Sequence, residues 1–157
     1  MRIFTIVLLL ACFHYAYGQQ HIVVSKQNYS LAVVENEDTL FKCPIAVGKA
    51  YGDKTMRGDM KTPEGTFKIV SIENSSRWKH DFKDGKGIRK GAYGPWFFRL
   101  NVPHFSSIGI HGTCKPETIG TRDSEGCIRL HNRDLVALNP FVRIGITCII
   151  EKDKSDD

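Results

Sequence analysis

Short apolar runs separated by turn-forming residues dominate the chain beyond residue 20. Ile22, Val23 and Val24 make the first run, and residues 29–34 make a second, with Asn28 as turn chemistry ahead of it. The polar stretch Glu35, Asn36, Glu37, Asp38 predicts a hairpin into a third strand over residues 40–47, closed by Gly48. Thr62, Pro63, Glu64, Gly65 and Thr66 read as a turn, and residues 67–70 leave it with a period-two pattern. Residues 96–100 and 108–110 are short and apolar, as buried strands are. Residues 132–138 carry Leu135, Val136 and Leu138 behind Asp134, which predicts a short helix. Residues 141–150 predict closing strands divided by Gly145, and the charged tail 152–157 is expected to fray.

Residues 73–92 break this pattern. Lys79, Lys83, Lys86, Arg89 and Lys90 interleave with Trp78, Phe82, Gly85, Gly87 and Gly91. Two readings stand: a solvated loop, or a mobile lid facing a substrate, since long loops in compact domains are often functional.

The first eighteen residues are set apart from the fold. Arg2 gives a short positive region, and residues 3–10 are apolar apart from Thr5. A bilayer needs about 20 such residues, so the run reads as the core of a secretory leader over residues 1–18. Two processing sites compete. Ala16-Tyr17-Gly18 ahead of Gln19 suits ordinary cleavage; Leu9-Leu10-Ala11-Cys12 resembles a lipoprotein box, with a leader of residues 1–11 and a lipid anchor on Cys12. An N-terminal anchor helix is the third reading. Each of them exports the protein.

The composition is that of a folded chain. With 157 residues, 41% hydrophobic and 25% charged, there is room for one domain and little argument for disorder. The formal charge is +5, and loss of Arg2 with the leader leaves +4. That excess suits an anionic surface, and its scatter argues against nucleic acid. Five cysteines, at 12, 43, 114, 127 and 148, leave at least one unpaired within a single chain.

The chemistry is concentrated in Ile110-His111-Gly112-Thr113 and Ser124-Glu125-Gly126-Cys127-Ile128-Arg129-Leu130. A thiol attacks as thiolate, and a neighbouring imidazole can take its proton. His111 follows an apolar strand and so sits on a rigid element. Gly126 permits a turn that aims successive N–H groups at one point, as an oxyanion requires. The competing reading is an inert core cysteine. A second competitor is a metal site, because His111, Cys114, Cys127 and His131 spell H-x2-C-x12-C-x3-H, near a zinc-finger spacing. Against it, the stretch between the cysteines holds only Ile119 as a clear core residue.

These residues resemble the signature of the L,D-transpeptidase family, the YkuD-type catalytic domain. Ile119-Gly120 lies between the two halves; Asn132-x-Asp134, Leu138, Val142-x-x-Gly145 and Ile149 follow in the family's order. Val47-Gly48-Lys49, Thr62-Pro63-x-Gly65-x-Phe67-x-Ile69 and Tyr93-Gly94-Pro95 precede in that order. The resemblance covers residues 21–151. It implies a mostly β fold, sandwich or barrel-like, with one or two short helices, and an enzyme of the bacterial cell envelope or periplasm that joins peptidoglycan stem peptides without metal or organic cofactor. It implies Cys127 as nucleophile, His111 as base and a Gly112 carbonyl that orients the imidazole. The amides of Glu125, Gly126 and Cys127 would form the oxyanion hole. Arg129 would hold a substrate carboxylate, or else pair structurally with Asp134. Ser124 would line the site, steady His111 or cap the turn; Thr113, Tyr93 and Trp96 complete the substrate-binding set. Trp78, Lys79, Tyr93 and Trp96 are expected near the groove.

Two positions depart from the family pattern, which often has His at Glu125 and Asn at Cys114. An acidic neighbour would raise the pKa of the thiol or alter the choice of acceptor. Cys114 is a bystander, a transient partner of Cys127, or a partner of Cys43 or Cys148; with Cys127 kept free, Cys43–Cys148 is the preferred disulfide. Function then narrows to a cysteine acyltransferase that forms 3-3 cross-links or attaches an outer-membrane or wall-linked amine. An L,D-carboxypeptidase or endopeptidase would use the same acyl-enzyme; a wall-binding or zinc-binding module would be non-enzymatic.

Overall fold

The computed structural model describes residues 19–153. The leader, both its processing sites and Cys12 lie outside the described residues, as does the tail beyond Asp153. The strands are β1 (His21–Ser25), β2 (Ser30–Glu35), β3 (Asp38–Gly48), β4 (Gly65–Asn74), β5 (Lys79–Asp81), β6 (Ile88–Lys90), β7 (Trp96–Leu100), β8 (Gly109–His111), β9 (Arg122–Ser124), β10 (Ile128–Leu130) and β11 (Thr147–Ile150). One α-helix, α1 (Asn132–Leu138), follows β10.

Eight of the strands close on themselves in the order β10-β8-β7-β4-β11-β1-β2-β3, with β3 pairing back to β10. The result is the mostly β, barrel-like fold expected from the sequence, with its short helix. Alternation explains the closure. Ile22 and Val24 of β1, Leu31 and Val33 of β2, and Ile45 and Val47 of β3 point into one core, where Phe98, Leu100, Ile110, Ile128 and Leu130 meet them. Each such side chain contributes about 1.5–3 kcal/mol on burial. Helix α1 lays Leu135 and Leu138 on the same core. The β2–β3 hairpin turns through Asn36, whose φ of +57° is one that asparagine tolerates better than most residues.

Four expectations change. Residues 73–92 are more ordered than a loop: β4 runs on to Asn74, and β5 and β6 pair as an antiparallel hairpin, His80 opposite Arg89. The closing segment holds a single strand, β11, because Pro140 lies in a short 3-10 turn (Asn139–Phe141) and Gly145 bends the chain at φ +90°. The Cys43–Cys148 disulfide is not formed: both thiols are free and buried, on β3 and β11, with β1 and β2 between them in the sheet. Finally, the tail is anchored at Asp153, whose carboxylate accepts from the Gly52 amide at 2.7 Å and pairs with Lys26 and Arg122.

Two features bring the site together. Strands β8 and β10 lie side by side and parallel, with His111 opposite Arg129, so Cys127, just ahead of β10, is level with Gly109, two residues before His111 on the neighbouring strand, and both residues reach the rim of one cavity. Strand β9 lies parallel to β3 with Ser124 opposite Gly48, and fixes the turn before Cys127.

Candidate active site

A cavity of about 500 Å³ opens on that rim. His111, Ser124, Glu125, Cys127 and Arg129 line it from the barrel, Tyr93 from the segment before β7, and His80 and Phe82 from the hairpin. Lys54 faces it from the loop between β3 and β4.

His111 is almost fully buried, and its ring stacks on Phe97 at 5.4 Å and tilts against Tyr93 at 4.8 Å. Its Nδ1 lies 2.6 Å from the Gly112 carbonyl oxygen. A carbonyl can only accept, so Nδ1 carries the proton and Nε2 keeps its lone pair. Burial lowers the imidazole pKa to about 3, against the opposing Gly112 bond, with Arg129 and His80 adding to the fall. The resting ring is neutral.

Cys127 precedes β10 and is partly exposed to the cavity. Its thiol donates to the Ser107 carbonyl at 3.4 Å. Burial pushes its pKa up to about 11; the Gly109 amide and the Arg129 cation pull it down, Glu125 adds to the rise, and Lys54 opposes it. The resting pair is therefore a neutral thiol beside a neutral imidazole.

The turn Glu125-Gly126-Cys127 is tied by Ser124, whose hydroxyl donates to the Cys127 carbonyl at 2.6 Å and accepts from the Gly126 amide at 3.1 Å. Ser124 is thus the turn's internal brace. This corrects one expectation: the Gly126 amide is already engaged, which removes it from the three expected to face an oxyanion. Gly126 itself sits at φ +130°, and a Cβ there would come within 2.7 Å of the Lys61 carbonyl.

Arg129 is buried and lines the cavity, and its partner is Asp123 rather than Asp134, which instead pairs with Arg133. The reason is topological: β9, which carries Asp123, and β10, which carries Arg129, both pair with β3, whereas Asp134 lies in the first turn of α1. Among the described residues the Arg129 Nε has no hydrogen-bond partner.

Thr113 and Trp96 do not line the cavity. The Thr113 amide donates to Asn132 Oδ1 at 2.9 Å, and Trp96 packs against the core. Trp78 and Lys79 lie outside the lining too; Trp78 backs the site, edge-on to Tyr93 at 5.6 Å and against Phe97 at 5.4 Å. The zinc-finger spacing does not close into a site, because no group of three His, Cys, Asp or Glu side chains converges as metal ligands among the described residues.

Other residues escaped the sequence. His80 contacts Glu125 and Tyr93, and its only signal was being the one histidine in residues 73–92. Lys54, 2.7 Å from Asp59 and 5.0 Å above the Phe105 ring, belongs to a segment with no periodic pattern. Asn132 braces Thr113 from the first turn of α1.

Comparison with known proteins places this geometry. The profile of the YkuD L,D-transpeptidase catalytic domain matches residues 19–150. The protein YkuD of Bacillus subtilis (strain 168) is 31% identical over 132 residues, 84% of this chain and 66% of that protein. YkuD of Bacillus licheniformis is 33% identical over 130 residues, 80% of this chain and 64% of its own length. The chain thus spans just under two thirds of these curated relatives. Among solved structures, L,D-transpeptidase 3 from Mycobacterium tuberculosis, in complex with a faropenem-derived adduct, shares the fold. Its TM-score is 0.65 at 17% identity, covering 86% of this chain and 61% of that one. The helical cell shape determining protein Pgp2 from Campylobacter jejuni shares it at a TM-score of 0.61 and 24% identity, covering 90% and 50%.

Proposed function

The chain belongs to the YkuD L,D-transpeptidase catalytic domain family, and on that premise we propose that it is an acyltransferase acting on peptidoglycan tetrapeptide stems, with Cys127 as nucleophile. The observation that carries the reading is one cavity lined by a thiol, an imidazole whose Nδ1 is committed to the Gly112 carbonyl, and a buried arginine.

The steps follow from those groups. A stem peptide in the cavity presents the carbonyl before its terminal D-Ala to the Cys127 sulfur, and the thiol turns from Ser107 toward His111. The His111 Nε2 lone pair takes the thiol proton as the sulfur–carbon bond forms, so charge separates only when attack begins. The amides of Glu125 and Cys127 face the resulting oxyanion. When the carbon–nitrogen bond breaks, the imidazolium hands its proton to the departing amine, D-Ala leaves and a thioester remains. An amine of a second stem, or of a wall- or outer-membrane-linked acceptor, attacks that thioester; the carbon–sulfur bond breaks and the sulfur regains a proton. Arg129 holds a substrate carboxylate, a task that its planar fork suits. The reaction draws on no metal or organic cofactor.

The same proposal places the protein outside the cytoplasmic membrane, where wall stems lie. The apolar run over residues 3–10 and the competing sites at Gly18 and Cys12 support export, with or without a lipid anchor.

Intact-protein mass spectrometry after incubation with a defined tetrapeptide muropeptide tests the reading. The expected result is an adduct on Cys127, release of one D-Ala, and cross-linked dimers among the products. Tripeptide products without dimers would assign a carboxypeptidase, and Cys127→Ala releasing D-Ala at the normal rate would overturn the nucleophile.

A further inference from the structure

Beside the cavity stands a hydrogen-bonded chain that the acylation steps leave unused. The Tyr93 hydroxyl lies 3.2 Å from His80 Nδ1, and His80 Nε2 lies 3.3 Å from Glu125 Oε1. The donor directions follow from elementary chemistry. A carboxylate only accepts, so Nε2–H donates to Glu125; Nδ1 is then an acceptor, and the phenol donates to it. The chain starts at Tyr93, whose ring packs against His111 at 4.8 Å and whose hydroxyl pKa is raised by burial and then by Cys127 and Glu125. It ends at the partly exposed pair of His80 and Glu125, within reach of water. The Phe82 ring meets His80 edge-on at 4.6 Å and helps hold it in place.

The thioester's second half-reaction poses a problem that this chain solves. An alkyl ammonium has a pKa of about 10, so an acceptor amine arrives protonated near neutrality. It must lose one proton before it can attack and another as the amide forms. His111 handles the second, passing it to the departing sulfur. We propose that Tyr93, His80 and Glu125 form a proton relay that removes the first, making them the acceptor-side machinery of the transfer reaction. The ammonium gives its proton to the Tyr93 oxygen as the phenol proton passes to His80 Nδ1. The imidazolium forms against the Glu125 carboxylate and discharges to solvent. The neutral amine then attacks, one carbon–nitrogen bond forms, one carbon–sulfur bond breaks, and the thiol is restored. This assignment rests on the acyltransferase reading and extends it.

The charges that face His80 fit the task. Glu125 opposes it from the catalytic turn; Arg89 is its cross-strand neighbour, and Lys79 and Asp81 flank it on β5. Lys115 sits 4.0 Å above Phe82 rather than on the imidazole. Across Tyr93 lies His111, its ring 4.8 Å from the phenol ring. The acidic residue at 125 therefore has a partner of its own, brought in by the hairpin.

The test separates the two halves of the reaction in the full-length protein. Acylation is timed by D-Ala release, and resolution by loss of the Cys127 adduct, with two acceptors: a stem peptide carrying an ammonium side chain, and hydroxylamine, which is largely unprotonated at pH 7. In His80→Gln and Tyr93→Phe, resolution by the ammonium acceptor should slow by about 100-fold relative to acylation, within the range for lost proton transfer. The deficit should shrink as pH rises toward the amine's own pKa, and hydroxylamine should largely restore the rate. Equal losses with both acceptors, or a deficit unchanged with pH, would overturn the relay and leave the acyltransferase reading standing. Wild-type protein that never acquires the adduct would overturn that reading, and the relay with it. Tyr93→Phe keeps the ring against His111, so a fold defect in the His80 variant does not remove the test.

Discussion

His111 donates its Nδ1 proton to the carbonyl oxygen of its own neighbour, Gly112, at 2.6 Å. The bond fixes the tautomer without any carboxylate, so the ring is oriented but gains no negative partner to stabilise an imidazolium. Burial then holds the imidazole near 3, while burial of the neighbouring thiol holds it near 11. The site rests uncharged, and ionisation must accompany substrate attack.

That resting state predicts how Cys127 meets a neutral alkylating reagent. Only the thiolate reacts, and below a pKa of about 11 its fraction grows about tenfold per pH unit. Peptide-mapped alkylation of Cys127 by iodoacetamide should rise at that slope between pH 6 and 9. A flat rate from pH 5 to 8, the mark of a preformed thiolate–imidazolium pair, would contradict it.

The same burial makes His111 a source of acid sensitivity. Its folded pKa, about 3, lies below the ordinary value of 6.5. As pH falls below 6.5 the unfolded chain takes a proton that the folded chain refuses, so stability is present above 6.5 and is lost progressively down to about 3. A shift of this size corresponds to about 5 kcal/mol at the limit. The stability difference between wild type and His111→Gln, from urea unfolding, should therefore move against wild type by several kcal/mol across that window. A pH-independent difference would sink the argument.

Gly112 is the tightest point around the histidine. A Cβ there would lie 2.1 Å from Asn132 Oδ1 and 2.9 Å from the Gly94 Cα. Gly112→Ala should displace Asn132 from the Thr113 amide and turn the carbonyl away from Nδ1. Expected are a loss of about 1–3 kcal/mol from overpacking and at least about a tenfold fall in the acylation rate. Asn132→Ala should produce the stability loss alone through an unpaired Thr113 amide, about 1–3 kcal/mol. Calorimetry and D-Ala release measure the two effects separately.

The strands that build the barrel were legible from their apolar runs: β1 and β2 bury Ile22, Val24, Leu31 and Val33 at every second position, and the inner end of β3 is a continuous buried run from Ile45 to Gly48. Strand β9 was not, because Arg122, Asp123 and Ser124 have no apolar member and are held by pairing with β3. The β5–β6 hairpin was hidden for the same reason, its strand residues being polar save Ile88. His111, Cys127 and the Gly112 carbonyl were readable because the chemistry is local to two short motifs. The engaged Gly126 amide, the Asp123 partner of Arg129 and the His80–Glu125 contact were not, since each depends on which elements lie side by side.

Lys26 illustrates a long-range tie far from any motif. Its side chain is fully buried, its ammonium lies 2.6 Å from Glu64 and 3.0 Å from Asp153, and it donates to the Gly52 carbonyl at 3.0 Å. It thereby clips the segment after β11 to the loop that carries Lys54 into the cavity. Lys26→Met should leave two partly buried carboxylates without their shared cation and destabilise the fold by about 3–5 kcal/mol in urea unfolding. A loss below about 1 kcal/mol would mean that the clip is dispensable.

Arg129 offers the sharpest division between holding the fold and holding the substrate. One arm of its guanidinium is bound to Asp123, its side chain is 3% exposed, and its Nε, without a hydrogen-bond partner among the described residues, belongs to a residue that lines the cavity. A purely structural ion pair predicts that Arg129→Lys, which keeps the charge, alters stability and little else. A carboxylate-binding role predicts that the fork itself matters, because an ammonium cannot bond Asp123 and a substrate carboxylate in one plane. A hydrogen bond to a charged group contributes about 1.5–3 kcal/mol, which is about a 10- to 100-fold rise in KM for the tetrapeptide stem. Because that contact is present before and during attack, kcat should change far less than KM. Steady-state release of the leaving group, D-Ala from the ordinary stem and D-alaninamide from a stem whose terminal carboxylate is amidated, completes the measurement: wild type should lose affinity for the amidated stem, and Arg129→Lys should no longer distinguish the two. A variant that discriminates as well as wild type would return Arg129 to the role of a buried strut.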